Sequence, residues 1–155
     1  MGYEIGFENK DTKVNYWSWC GWDFTQFHRA IALECGNVNY AEVEYDKDFL
    51  IPVKNLEFIN ILFNNASKNK VYRVYYNLLM IDELLAEEYI ENLSLEDRIL
   101  FAINFVLPAE YTKYQEIAKM IYAKILDGSY LLESLKEAYD KMVADGVQEV
   151  VLYGG

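Results

Sequence analysis

The sequence predicts an α+β fold: a mainly helical body of about five to six helices beside a small antiparallel sheet made from an N-terminal hairpin and a C-terminal strand. Three observations predict it. The chain opens on two β-type runs separated by turn residues. Its middle carries apolar residues at helical spacing, punctuated by capping residues, Gly and Pro. It closes on a short β-branched run.

Taking the elements in order, Tyr3-Glu4-Ile5-Gly6-Phe7-Glu8 alternates large apolar with small or charged residues, and residues 14–19 are β-branched and aromatic. Asn9-Lys10-Asp11-Thr12 lies between them as turn material, so the pair reads as a hairpin. Asp23 and Gln26 form a capping-box pattern, after which Phe24, Phe27, Ile31 and Cys35 recur at helical spacing until Gly36, predicting a helix over 23–35. Within residues 37–51 the alternation Glu42-Val43-Glu44-Tyr45-Asp46-Lys47-Asp48-Phe49 favours a strand over a charged loop. Pro52 suits a first helical turn, and Leu56, Ile59 and Phe63 supply a buried stripe for a helix over 52–66. Residues 70–91 contain neither Gly nor Pro, and Val71, Val74, Tyr75, Leu78, Leu79, Asp82 and Leu85 trace one mostly apolar face, predicting a single long helix. Ser94 with Asp97 caps a further helix through Ile99, Leu100, Ile103 and Phe105 that must stop near Pro108. Helices over 109–126 and 130–144 follow, closed by Gly128 and Gly146, and residues 147–153 form the last strand.

With 155 residues, 53% of them hydrophobic and 16% aromatic, residues 1–155 are expected to form a single domain with a packed core. The net charge of −11 is spread along the chain and repels phosphate backbones and anionic membrane surfaces, so neither direct nucleic-acid binding nor a membrane partner is expected. The N-terminus lacks the basic and apolar runs of a signal peptide, and no segment holds the ~20 apolar residues of a membrane span, which makes the cytoplasm the expected location. Cys20 and Cys35 are then expected to be reduced and buried.

Catalytic chemistry has little to stand on. His28 is the only histidine, and its spacing from Cys20 and Cys35 matches no zinc-binding pattern. His28 and Cys35 lie seven residues apart on one helix, ~10 Å of rise, too far for a nucleophilic pair. Glycine-rich phosphate loops and the hydrolase elbow are absent from the sequence, so no cofactor is expected. Asp46 and Asp48 begin like a calcium loop, but Ile51 stands where its glycine belongs, and no metal is expected.

Three groups stand out as candidate binding residues. On a strand, Glu42, Glu44, Asp46 and Asp48 would share one face. Glu83, Glu87 and Glu91 recur every four residues on one helix face, about 6 Å apart, with Asp82 and Glu88 alongside. Such rows are most simply solvated surface; alternatively they imitate phosphate charge and occupy the basic groove of a nucleic-acid-handling protein. Trp17, Trp19 and Trp22 are either core or interface anchors. The function expected from these features is that of a non-catalytic acidic binding or inhibitory protein, a nucleic-acid mimic or a toxin-immunity type, whose partner is a protein with a basic surface. Two alternatives are a small enzyme centred on His28 and Cys20 with Asp23 orienting the ring, and a structural homo-oligomer joined through Tyr111, Tyr114, Tyr122, Tyr130 and Tyr139.

Gly2-Tyr3, then Trp17-Ser18-Trp19, then a helix through Phe27 and Ile31-Ala32 to Gly36 resemble the opening of small uncharacterised bacterial or phage proteins. The resemblance covers roughly the first quarter of the chain and implies a structural unit, with no activity attached.

Overall fold

The computed structural model describes residues 4–21, 24–36, 38 and 47–155. Its contacts divide the chain into two compact units, Met1–Glu57 with Leu135–Gly155, and Phe58–Ser134. The fold is α+β. Among the described residues there are four strands and seven α-helices.

In the first unit, β1 (Glu4–Asn9) and β2 (Asn15–Cys20) form the expected hairpin. The Asn9 side chain accepts from the N–H groups of Asp11 and Thr12 at 2.9 and 3.0 Å, a local turn that explains why Asn stands there. β3 (Phe49–Pro52) and the C-terminal β4 (Glu149–Gly154) complete an antiparallel sheet of order β2-β1-β4-β3. Strand alternation sends Ile5, Phe7, Trp17, Phe49, Ile51, Val150 and Leu152 to buried positions, with Phe7 paired to Trp17 on one side and to Leu152 on the other. The helix α1 (Phe24–Cys35) packs on this sheet through Phe24, Phe27, Ile31 and Cys35. Opposite Tyr153 the strand can carry only glycine, because a Cβ on Gly6 would collide with the Trp17 carbonyl and the Tyr153 ring.

The expected strand over 37–51 survives as β3 at its end; residues 37 and 39–46 lie outside the described residues. Residues Val53–Leu56 form a 3-10 turn before α2 (Glu57–Ser67), so the helix expected from Pro52 starts later. Cys35 is buried as expected, whereas Cys20, at the end of β2, is exposed.

The second unit holds α2 from Phe58 onward, α3 (Lys70–Leu79), α4 (Glu83–Glu91), α5 (Leu95–Ile103), a 3-10 turn over Ala109–Tyr114, α6 (Gln115–Leu126) and the first turn of α7 (Leu131–Ala144). Its core includes Leu62, Tyr75, Phe101, Ile117, Ile121, Ile125 and Leu131, with Tyr72, Phe105 and Tyr122 ringed around Phe101. Residues 70–91 are two helices rather than the single one expected, which brings the helix count to seven. The reason is Asp82. In a continuous helix it would fall on the face of Tyr75, Leu79 and Ala86, all buried, and an unpaired carboxylate there would be costly. Breaking the helix instead lets Asp82 adopt an extended backbone and cap α4, accepting from the Leu84 N–H at 2.9 Å. The expected cap at Ser94 is present, its hydroxyl accepting from the Asp97 N–H at 3.2 Å. Gly128 and Gly146 end α6 and α7 at φ +83° and +67°.

Candidate functional site

Trp17 and Trp19 lie on β2 of the sheet. Trp17 is buried, its ring 5.4 Å from Phe7 and 6.2 Å from Phe27. Trp19 is half-buried, stacked on Trp17 at 6.4 Å and tilted against Phe24 at 5.9 Å. Trp22 lies outside the described residues, as do Glu42, Glu44, Asp46 and Asp23. Asp48 is exposed, just before β3, and its charge opposes the effect of burial on His28. His28 itself has no solvent exposure and its ring lies 6.0 Å from Phe49; desolvation pulls its pKa below the ordinary value, which favours a neutral ring. An open groove of about 560 Å³ runs between Pro52–Lys54 and Tyr139–Glu149 in the first unit, and neither His28 nor Cys20 lines it. Among the described residues no group of three His, Cys, Asp or Glu side chains is placed to hold a metal ion, and no helix is long and apolar enough to cross a membrane.

Glu83, Glu87 and Glu91 recur every four residues on α4. Ala86 and Ile90 are buried, so the flank of the helix beside them carries Glu83, Glu87 and Glu91, with Glu83 and Glu91 exposed and Glu87 half-buried. The upper half of the row sits over the turn after α6. Gly128 approaches the Glu83 carbonyl and the Glu87 Cβ, and the charges of Glu83, Asp127 and Glu87 act on the hydroxyl of buried Tyr75. That hydroxyl donates to the Ser129 carbonyl at 2.9 Å, and desolvation first, then the carboxylates, push its pKa up. At the other end of the row, Arg98 is occupied as a helix cap, its Nη2 donating to the Glu91 carbonyl at 2.7 Å.

The feature that sequence reasoning missed is the exposure of large apolar side chains on and around α4 and α5. Leu84 is 71% exposed, Ile81 and Leu95 are each 74% exposed, and Ile99, Leu100, Ile103 and Val106 are all exposed too. The helix expected after Ser94 runs through Ile99, Leu100 and Ile103, and within α5 it buries Phe101 alone. Phe101 meets Tyr122 and Phe105 edge-on at 5.4 and 5.6 Å, and seating this one aromatic side chain fixes the rotation of the helix. Leu95, Ile99 and Ile103, four residues apart, then share the opposite, solvent-facing side. Between Met80 and Val106 the chain carries Asp82, Glu83, Glu87, Glu88, Glu91, Glu96 and Asp97 against the single base Arg98. Residues 80–106 therefore combine exposed apolar side chains with an almost unopposed negative charge.

Of the tyrosines considered for self-association, Tyr114 stacks on Phe58 at 4.7 Å and Tyr122 packs on Phe101 and Phe105, while Tyr130 is exposed. No protein-family model, curated protein or solved structure matches the chain.

Proposed function

We propose that the chain is a non-catalytic binding protein whose working surface is the acidic, apolar face of α4 and α5, and whose partner is a protein with a basic surface. The observation that carries this reading is the exposure of Leu84, Leu95, Ile99 and Ile103 within a segment holding seven carboxylates and one arginine. Apolar side chains left in water at this density mark interaction sites more often than they mark ordinary surface. The charge supplies attraction at a distance, and the apolar groups supply the dehydrated contact that gives lifetime. An inhibitory role, in which the protein occupies the groove of a nucleic-acid-handling or toxic partner, fits the sign of the field; the Leu and Ile side chains direct it to a protein surface rather than to a pure phosphate-reading one.

The test is a titration against a panel of purified basic proteins, nucleases among them, at about 50 mM and about 0.5 M salt. The expected result is association with at least one member that weakens as salt rises. No association at either salt, or affinity indifferent to salt, removes the proposal.

A further inference from the structure

We infer that the solvent-facing stripe of α5 is a docking site for a basic amphipathic helix of a partner protein, one with an apolar side flanked by Lys and Arg. The inference rests on the acidic binding reading above and names the kind of element that reading would engage. Leu95, Ile99 and Ile103 form a line along about 12 Å of helix axis, and Val106 lies just beyond its end. A partner helix presents apolar side chains at every third or fourth position, a spacing that matches this line turn for turn.

Charge chooses among the possible occupants. Glu96 borders the stripe on the helix itself, and Asp97 on α5 and Glu83, Glu88 and Glu91 on α4 are exposed acids of the same segment. Arg98, the only base in residues 80–106, has its guanidinium committed to the Glu91 and Leu93 carbonyls. A second copy of the chain would bring the same carboxylates against these, and an anionic membrane would be repelled in the same way. A helix carrying Lys and Arg beside its apolar side is drawn by Glu96 at the edge of the stripe and by the excess of seven acids over one base in residues 80–106.

The experiment uses the full chain and a synthetic Leu/Lys peptide of about 18 residues patterned as an amphipathic helix. Controls are a Leu/Glu peptide of the same pattern and a Leu/Lys peptide of the same composition in scrambled order. Binding is read by fluorescence anisotropy of the labelled peptides. The patterned Leu/Lys peptide is expected to bind at least roughly ten-fold tighter than either control, and the triple variant Leu95→Ser, Ile99→Ser, Ile103→Ser to lose at least roughly ten-fold. All three positions are exposed, and the single variant Ile99→Lys, expected to weaken binding in the same direction, guards against a cumulative loss of helix. Equal binding of patterned and scrambled peptides, or full binding by both variants, overturns the inference. So does a dimer, seen by sedimentation, that the triple variant abolishes, or co-sedimentation with zwitterionic phosphatidylcholine vesicles. If the basic proteins still bind in a salt-dependent way while the peptide does not, the docking inference fails and the acidic binding reading stands; if neither binds, both fail.

Discussion

At the scale of single residues, the least ordinary group is Glu133, in the first turn of α7. Both carboxylate oxygens are buried, and apart from an approach to its own backbone N–H neither has a hydrogen-bond partner among the described residues. Desolvation raises its pKa to about 7, with that N–H opposing slightly. The folded state therefore holds the proton more tightly than the unfolded chain does. This contribution to stability is complete below the unfolded pKa of ~4.3 and is lost as pH rises through about 7. The loss is on the order of 3 kcal/mol at alkaline pH. Glu133→Gln keeps the shape and removes the charge, so it is expected to raise the urea midpoint at pH 8 and to leave it nearly unchanged at pH 4. Equal pH dependence in the variant and the parent chain would show that the carboxyl is solvated and that its burial does not matter.

At the scale of elements, the division of residues 70–91 depends on Asp82 serving as a cap. Asp82→Ala removes the acceptor of the Leu84 N–H and is expected to cost about 1 kcal/mol, whereas Asp82→Asn keeps the acceptor and should retain most of the stability. Denaturant midpoints of the two variants decide it: if Ala is no worse than Asn, the cap is not what ends the helix. The same residue shows what could be read in advance. Hairpin, caps and glycine stops were legible because each depends on a few neighbouring residues: Asn9 in its turn, Ser94 with Asp97, Gly128 and Gly146 at positive φ. Asp82 was ambiguous because an acid on an apolar stripe reads as an exception in a long helix or as the start of a new one, and burial of that stripe by other elements decides between them. For α5 the ambiguity ran further. Leu95, Ile99 and Ile103 are as regular a stripe as any buried one, and only the packing of Phe101 with Tyr72 and Tyr122, distant in sequence, and with nearby Phe105 turns them outward.

At the scale of the whole molecule, the charge was legible without any structure, and its consequence is a prediction in which stability and binding move in opposite directions. The ion pairs described here, Lys10–Glu149, Lys13–Glu8, Lys119–Glu116, Lys136–Asp140 and Lys141–Glu137, have at least one partner well exposed to solvent and contribute little each. They cannot offset 25 acids against 14 bases, so the folded chain carries net self-repulsion. Salt screens that repulsion over a Debye length of roughly 10 Å at 0.1 M, and raising it from low to moderate concentration is expected to raise Tm by a few degrees. The same salt is expected to weaken association with a basic partner, because there the screened interaction is attractive. Melting followed by circular dichroism and binding followed by anisotropy, on one preparation across one salt series, should give curves of opposite slope. A Tm that falls with salt would mean that attractive pairs dominate the folded surface, and loss of binding at high salt would then report unfolding rather than recognition.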